Sequence, residues 1–403
     1  MIESIWTIAA VFFTSVAALL VVPCSVLLLQ ALMAWRKPGE EYGSAAAPIS
    51  WPRLAVLMPA HNEALGIAAS IAAIRAQLSA KDRLLVIADN CTDDTSQIAK
   101  EAGATVIDRA NLELRGKGYA LDFGVRALEA DPPEVVIVID ADCLVHPNTL
   151  AQLALGCIKT RRPNQALNLM RAPVGAGLKM RIAEFAWNLK NHTRPLGFSR
   201  LGFPCQLMGT GMGFPWDVIK GAQLASGHIV EDLKLGLELA AAGTPPRFCT
   251  QGLVTSWFPT SSEGMLAQRT RWEHGHLDIA LKLGPRMLWR AVKQGRLGMA
   301  AMVIDMCIPP LAALVLLVIL TGLCALVTAA SGHPAALFLT ALNTACLAGA
   351  VMVSWYRFGR SIVSLSDLLS VPWYIAAKVP LYIQALTKRQ MEWVRTKRDD
   401  TSN

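Results

Sequence analysis

Two long stretches of this sequence contain no charged residue. The first lies between Glu3 and Arg36, and the second runs from Met306 to Tyr356. A helix that crosses a bilayer needs about 20 apolar residues, and the second stretch is about twice that length. Turn-forming residues interrupt it at 331–334, with the sequence Ser-Gly-His-Pro. The sequence therefore predicts one transmembrane helix near the amino terminus and, further on, a transmembrane helical hairpin.

The first stretch also lacks the features of a cleaved signal peptide. Residues 1–4 carry no lysine or arginine, and the apolar run that follows is too long for the core of such a peptide. We therefore expect it to be retained as a membrane helix.

Paired cysteine motifs are missing as well. The nine cysteines are an odd number, and no two of them form a C-x-x-C pair. This spacing indicates neither a disulfide framework nor a zinc site. We interpret the cysteines as reduced thiols.

The net charge of +8 is concentrated beside the apolar runs. This distribution favours a lipid bilayer as a partner and does not favour nucleic acid. Lysine and arginine flank membrane helices on the cytoplasmic side, and here they border the runs at five places: Arg36, Lys37, the 285–296 region, Arg357 and Arg360. The amino terminus and the loop near Gly332 are then expected outside, and residues from about 40 to 300 inside.

This pattern predicts five parts of the chain. They are a transmembrane helix over 1–38, a cytoplasmic domain over 39–284, an interfacial amphipathic region over 285–302, two transmembrane helices over 303–356, and an interfacial or re-entrant helix with a basic cytoplasmic tail over 357–403. Charges and prolines interrupt the apolar residues of 361–388, which favours the membrane interface over a full span for that segment.

Between residues 53 and 160, short β-rich runs alternate with helical ones. The β-rich runs are continuously apolar, as expected for strands that helices cover on both faces, so the pattern predicts an α/β fold with a mainly parallel sheet. Ligands of such folds bind at the carboxyl ends of the strands. Polar residues follow three of the predicted strands: His61-Asn62-Glu63, Asp89-Asn90 and Asp140-Ala141-Asp142.

Asp140 and Asp142 are spaced to hold a hard divalent cation against phosphate oxygens. Acidic residues at this spacing also cap helices and form turns. Asp89 can accept hydrogen bonds from a base or ribose. The 115–118 segment, Arg-Gly-Lys-Gly, suits a pyrophosphate, although a solvated loop has the same composition.

Three later motifs carry candidate residues. A glycine-dense loop is predicted over 209–213. Glu231 and Asp232 precede a helical run, where they could serve only to complement the helix dipole. Gln268, Arg271 and Trp272 lie just before the membrane and suit a departing diphosphate beside a sugar acceptor, although arginines there also act as anchors.

The ordered set A-H-N-E, D, D-x-D, E-D and Q-x-x-R-W over residues 53–275 resembles the membrane-bound family 2 glycosyltransferases. That family includes cellulose, chitin and hyaluronan synthases, ceramide glucosyltransferase-like enzymes and bacterial exopolysaccharide transferases. The resemblance implies a GT-A fold, inversion at the anomeric carbon, a UDP-sugar donor carrying a hexose or N-acetylhexosamine, and Mg²⁺ or Mn²⁺ as cofactor. It also implies a multi-pass protein of the inner membrane with a cytoplasmic catalytic domain.

The same resemblance implies a role for each matching residue. The nucleoside pocket would be lined by Ala60, His61, Glu63 and Asp89. Lys117 would approach the base or phosphate, and Asp140 and Asp142 would hold the metal and diphosphate. Asp232, with Glu231 beside it, would be the general base. The leaving group and acceptor would be met by Gln268, Arg271, Trp272, Gly209, Thr210, Gly211 and Met212.

Three predicted spans are fewer than the polymer-extruding members of the family carry. This favours transfer of one or a few sugars to a lipid-linked or saccharide acceptor over processive β-polysaccharide synthesis, which stays open. A nucleotidyltransferase would not be expected to place E-D and Q-x-x-R-W after the metal motif. A transport or binding protein without catalysis is the alternative of a different class. Ionisable residues inside the spans would favour transport, and the three predicted spans contain no charged residue.

Overall fold

The structure is a computed structural model that describes residues 2–36, 51–228, 230–259 and 262–376. The described residues form two units. The helical unit falls within ranges 1–37, 175–201 and 303–390, and the sheet unit within 38–174 and 202–302. Segment 175–201 therefore packs with the helical unit, although the sequence analysis placed it inside one domain over 39–284.

Eight described strands form one mixed sheet. They are β1 (Leu54–Ala60), β2 (Arg83–Asp89), β3 (Thr105–Arg109), β4 (Val135–Val138), β5 (Leu144–Val145), β6 (Asn164–Arg171), β7 (Met212–Pro215) and β8 (Arg247–Trp257), in the order β3-β2-β1-β4-β7-β6-β8-β5. The first four are parallel to one another. β7 runs antiparallel between β4 and β6, β6 and β8 are parallel, and β5 is antiparallel to β8.

Helices cover both faces of this sheet. They are α2 (Ile67–Arg75), α3 (Thr95–Glu101), α4 (Lys117–Leu128), α5 (Thr149–Thr160), α8 (Trp216–Lys220) and α9 (Glu231–Ala241). Successive side chains of β1 point to opposite faces, so Val56 packs in the same core as Ile71 of α2, whereas Leu57 packs in the same core as Leu121 of α4. Burial on both faces explains why the strand sequence is continuously apolar.

The order in which the chain adds strands to the sheet switches from one side of β1 to the other. From β1 the chain builds β2 and β3 on one side, and it then places β4 on the other side. The carboxyl ends of β1 and β4 therefore form the switch point at which open α/β sheets bind ligands. Three helices complete this part of the chain: α10 (Ser262–Lys282), α11 (Gly284–Lys293) and α12 (Leu297–Met306), whose last residues fall in the helical unit.

The helical unit contains α1 (Ile2–Trp35), α6 (Leu178–Asn188), α7 (Arg194–Arg200), α13 (Leu311–Ala330), α14 (Ala335–Ser354), α15 (Leu365–Ala376) and two π-helical turns, π1 (Leu189–Thr193) and π2 (Trp355–Gly359). Within the described residues, three helices are long and apolar enough to cross a membrane: Glu3–Trp35, Leu311–Ala330 and Ala335–Gly359. They match the three spans expected from the sequence. α15 falls within the predicted interfacial segment, and the basic tail lies outside the described residues.

Polar contacts join these helices at defined points. Asn343 Nδ2 of α14 donates a hydrogen bond of 2.8 Å to the carbonyl oxygen of Ala17 in α1. α7 packs closely on α1, since a Cβ on Gly197 would lie 2.0 Å from the carbonyl oxygen of Gln30. Arg194 and Asp305 form a buried salt bridge of 2.9 Å, and Gln30 Nε2 donates to the same carboxylate at 2.6 Å. The helical unit is therefore held by a buried polar network as well as by apolar packing.

Candidate active site

The ends of β1 and β2 hold the predicted nucleoside residues in place. His61 Nδ1 lies 2.7 Å from the carbonyl oxygen of Asp89, and the backbone N–H of Glu63 donates to Thr95 Oγ1 at 2.7 Å. Asn62, between them, has a φ of 55°, a left-handed conformation that asparagine tolerates. Ala60 is buried at the end of β1. The sharp turn after β1 therefore brings His61 and Asp89 to the same edge of the sheet.

Arg109 is a residue of this region that the sequence analysis missed. Its Nη1 lies 2.5 Å from Asp89 Oδ1, both side chains are about nine-tenths buried, and its guanidinium lies 5.8 Å from the centre of the Tyr119 ring. The structure reveals its role, because Arg109 ends β3 and pairs in register with Asp89 of the parallel neighbour β2. The Asp89 carboxylate is therefore oriented by an arginine.

Asp140 and Asp142 follow β4 at the switch point. One ligand atom from each of Asp140, Asp142 and Cys143 can be chosen so that all three lie within 4.8 Å of one another. Cys143 Sγ donates to Asp142 Oδ1 at 3.2 Å, and the Asp140 N–H donates to Thr210 Oγ1 at 3.1 Å. Two carboxylates at this spacing fit a hard divalent cation such as Mg²⁺ or Mn²⁺.

Lys117 connects the aspartate motif to the glycine loop. Its ammonium group forms an ion pair with Asp140 and donates to the carbonyl oxygen of Gly209 at 2.7 Å. The side chains of Lys117 and Asp140 are 22% and 33% exposed, so a ligand can reach both. Lys117 is the first residue of α4, and a Cβ on the next residue, Gly118, would lie 2.5 Å from the carbonyl oxygen of Leu224. This close approach requires glycine there.

Glu231 and Asp232 begin α9 and face the same cluster. A Cβ on Gly209 would lie 3.5 Å from Asp232 Oδ2 and 3.7 Å from Lys117 Nζ. Glu231 and Asp232 also line a pocket that includes Gly118, Leu121, Ser226 and Leu235. The structure therefore brings residues from four separate motifs of the sequence into one cluster.

The charges of this cluster shift the pKa of several groups. Burial, followed by the charge of Asp232, raises the pKa of Glu231 to about 7. Burial also raises the pKa of Asp140, against the opposing effect of Lys117. Burial alone would lower the pKa of Lys117, but the carboxylates of Asp140, Glu231 and Asp232 outweigh it and raise that pKa. At neutral pH the site therefore holds a firmly charged cation among acidic groups.

The predicted acceptor residues divide between two places. Gln268, Arg271 and Trp272 lie at spacings of three and four on α10, so they share one face of the helix. Burial lowers the pKa of Arg271 and the charge of Glu231 opposes this shift, which places the two groups within electrostatic range. The predicted glycine loop is shorter than expected, because Met212 begins β7 and its side chain is buried in the hydrophobic core, leaving Gly209, Thr210 and Gly211 as the turn.

Comparison with known proteins identifies the family. The model of the glycosyltransferase like family 2 matches residues 52–275, which is more than half of the chain. The chain belongs to this family. The family 2 domain thus contains both carboxylate motifs and the Lys117 contact, and the predicted ordered set of motifs lies within the matched residues.

Individual relatives match more distantly. A probable glycosyltransferase, YdaM of Bacillus subtilis, is 27% identical over 255 residues, which are 57% of each protein. Glucosyl-3-phosphoglycerate synthase of Mycobacterium tuberculosis is 34% identical over 122 residues, 29% of this chain and 36% of that protein. The chain thus spans about a third to just over half of the length of these curated relatives.

A solved structure covers nearly the whole chain. It is the mannosyltransferase PcManGT of Pyrobaculum calidifontis in complex with GDP-Man and Mn²⁺, with a TM-score of 0.54 and 18% identity over 94% of this chain and 98% of that one. The likeness confirms the predicted GT-A type of α/β fold with flanking helices.

Proposed function

We propose that this family 2 chain is an inverting glycosyltransferase that moves a hexose or N-acetylhexosamine from a UDP-sugar to a lipid-linked or saccharide acceptor at the cytoplasmic face of a membrane. The observation that carries the proposal is the cluster of Lys117, Asp140, Asp142 and Asp232 at the carboxyl end of β4. It unites a cation, a candidate metal site and a candidate base within the domain that matches the family.

The donor nucleotide is proposed to extend along the carboxyl edge of the sheet. Its nucleoside would lie at the ends of β1 and β2, where Asp89 is oriented by Arg109 and His61 contacts the backbone of Asp89. Its diphosphate would lie beside Lys117 and Asp140. The side chain of Lys117 already holds the Gly209 carbonyl, so the ammonium group is fixed before the donor binds.

Asp142 and Asp140 would hold Mg²⁺ or Mn²⁺, which when bound neutralises charge on the departing diphosphate. Lys117 adds a second positive charge beside Asp140. Arg271, on the face of α10 shared with Gln268 and Trp272, would supply another at the acceptor end. Two of the chain's own cations, Lys117 and Arg271, would thus favour departure of the nucleoside diphosphate.

Asp232 is proposed to take the proton of the acceptor hydroxyl as that oxygen bonds to the anomeric carbon and the UDP oxygen leaves from the opposite face. Inversion needs one base and no enzyme nucleophile. Glu231, whose pKa is raised to about 7, would be partly protonated at neutral pH beside this base. It therefore adds less than a full negative charge beside Asp232.

The membrane part of the proposal rests on the three apolar helices and on the charged residues at their ends. One end of the helices carries Arg36, Arg357 and Arg360, whereas the other end carries Glu3 and His333. Lysine and arginine mark the cytoplasmic side. The proposed arrangement is therefore a multi-pass inner-membrane protein with the family 2 domain in the cytoplasm, active in exopolysaccharide or glycolipid synthesis.

The test uses the full chain purified in detergent. UDP-glucose, UDP-N-acetylglucosamine and GDP-mannose are supplied in turn with Mn²⁺ and a membrane lipid extract, and nucleotide release and label transfer are followed. We expect labelled lipid or oligosaccharide with a UDP-sugar, and loss of both signals in Asp232→Asn. Asp217→Asn, an exposed aspartate of α8, is the matched control and should retain activity.

The other outcomes are informative in different ways. A long polymer would identify a processive synthase and contradict the argument from the number of spans. Turnover of GDP-mannose alone would reject the UDP donor and keep sugar transfer. Absence of turnover with every donor and acceptor would reject the proposed enzyme activity.

A further inference from the structure

Two π-helical turns meet in the helical unit. The ring of His192 in π1 lies 4.2 Å from the ring of Phe358 in π2, measured between centroids. π2 also packs closely on α6, because a Cβ on Gly359 of π2 would lie 2.5 Å from the ring of Phe185 in α6. π-Helical turns are rare and are frequently found at functional sites. Two such turns in contact therefore favour a functional role for this surface.

Exposed cations surround this contact, and each lies over an aromatic ring. Lys190 Nζ is 5.5 Å from the centre of the Trp187 ring. Arg360 is 4.6 Å from the Tyr356 ring, and Arg357 is 5.6 Å from the Phe358 ring. We call this surface the π-helical patch and define it by the half-buried Trp187 and four exposed residues: Lys190, Tyr356, Arg357 and Arg360.

Carboxylates do not neutralise the two arginines of the patch. Over the described residues, no aspartate or glutamate oxygen lies within 4.0 Å of a side-chain nitrogen of Arg357 or Arg360. Two acids of the helical unit have other partners, since Asp305 pairs with Arg194 and Asp367 pairs with Arg181 at 2.9 Å. A guanidinium that lies on a ring still presents its N–H edge, which matches two oxygens of a phosphate.

The ends of the apolar helices indicate the depth at which the patch lies in the bilayer. Tyr356 stacks on Trp35 with 5.3 Å between ring centroids. Trp35 is the last residue of α1, and Tyr356 is the second residue after the end of α14, so both rings mark the same end of the apolar bundle. Tryptophan and tyrosine at the ends of membrane helices lie at headgroup level. The cations beside them are therefore placed at the level of lipid phosphates.

We propose that the π-helical patch binds the phosphate headgroup of an anionic membrane lipid. The occupant is a lipid and not a soluble phosphate, because the patch borders exposed apolar side chains of the helices on which acyl chains can lie, such as Trp35 and Met352. This site is separate from sugar transfer and does not depend on the donor, the metal or the acceptor. It depends on the helices entering the bilayer.

The test is a lipid titration of the detergent-purified full chain by native mass spectrometry, with phosphatidylglycerol and phosphatidylcholine of the same acyl chains. We expect the wild type to prefer phosphatidylglycerol. Each cation near an anionic surface contributes enough for about a fivefold change in affinity, so Arg357→Gln/Arg360→Gln should bind phosphatidylglycerol about 25-fold more weakly. Binding of phosphatidylcholine should not change.

The matched control is Arg126→Gln/Arg161→Gln, which removes the same charge from two exposed arginines of the sheet unit. Arg357→Lys/Arg360→Lys keeps the charge but loses the two-oxygen contact of the guanidinium, so its preference should lie between those of wild type and the double glutamine variant. If the double glutamine variant does not fold, Arg360→Gln alone, at an exposed position beyond π2, should show about a fivefold loss. Equal phosphatidylglycerol binding by the patch variant and the control overturns the proposal, and so does displacement of the lipid by inorganic phosphate.

Discussion

Arg109 reaches across from β3 to form a salt bridge with Asp89 of β2, with 2.5 Å between Nη1 and Oδ1. Both side chains are almost completely buried, so neither charge is well solvated without the other. Arg109 Nη2 also donates to the carbonyl oxygen of Leu114 at 2.8 Å. The arginine thus links the candidate nucleoside pocket to the loop that leads into α4.

The first prediction concerns this pair. Arg109→Met should raise the KM for the donor at least about tenfold and lower the free energy of unfolding by about 3–5 kcal/mol, since it leaves a buried carboxylate unpaired. Thermal unfolding and steady-state kinetics measure the two effects. Lys100→Met is the control. It breaks the exposed salt bridge with Asp108, at 3.4 Å, and should lower the free energy of unfolding by at most about 0.5 kcal/mol. Similar losses in both variants would contradict the role of Arg109.

Asp142 gives the second prediction. Asp142→Asn should weaken Mn²⁺ binding about 100-fold or more, since loss even of a group that only supports a metal ligand costs about 10–100-fold. Titration of Mn²⁺ followed by electron paramagnetic resonance measures the free ion directly, without donor or acceptor. Asp217→Asn is the control, because it removes a carboxylate of the same kind from an exposed position on α8. Unchanged affinity in Asp142→Asn would remove the metal site from this position.

The third prediction follows from the raised pKa of Glu231, about 7 in the folded protein. Glutamate in an unfolded chain titrates near about 4.3. Between these values the folded state binds more protons, so Glu231 favours folding at low pH and this contribution is lost as the pH rises towards 7. Without metal or donor, wild type should therefore lose more stability than Glu231→Gln between pH 5 and pH 8, by about 1–3 kcal/mol.

Unfolding midpoints at the two pH values measure this difference. Glu238→Gln serves as the control, since Glu238 lies on the same helix and pairs with Lys234 at 3.5 Å. It should keep the wild-type pH dependence. The interpretation fails if Glu231→Gln loses as much stability as wild type over the same range.

The fourth prediction concerns the buried network of the helical unit. Arg194→Met should lower the free energy of unfolding by about 3–5 kcal/mol, because Asp305 would keep a buried charge and, among the side chains that the structure describes, only Gln30 would still donate to it. Arg194→Met/Asp305→Leu should recover a large part of this loss. Arg181→Met, which breaks a more exposed pair with Asp367, should cost about 1 kcal/mol or less. Additive losses in the double variant would show that the two residues are not coupled.

Sequence reasoning succeeded where a local pattern determines the structure. The continuous apolar runs of β1, β2 and β4 mark strands buried on both faces, and Asp140 follows such a run directly. The three apolar helices are equally local, since their length and lack of charge are enough to identify them. The carboxyl ends of parallel strands then meet by topology, which is why His61, Asp89 and Asp140 could be grouped from the sequence. The later motifs were named through the resemblance to the family.

The rest depends on contacts between distant segments. Nothing in the sequence near Met212 indicates that it enters β7, because that strand forms only between β4 and β6. Segment 175–201 carries Arg194 and other polar residues, so its pattern resembles a surface helix. Its burial depends on Asp305, which lies 111 residues further along the chain. Arg109 was missed because a charged strand end is usually solvated, and only register pairs it with Asp89.

The packing of α1 has a consequence for how the protein is made. Its neighbours α13 and α14 begin only at Leu311 and Ala335, so α1 emerges from the ribosome long before they do. At synthesis rates of about 5–20 residues per second, the interval is on the order of tens of seconds. The chain of the sheet unit is synthesised within that interval, as is Arg194, whose partner Asp305 arrives late. The helical unit can therefore close only after α13 and α14 have been synthesised, and a newborn chain must hold its first membrane helix without these neighbours until then.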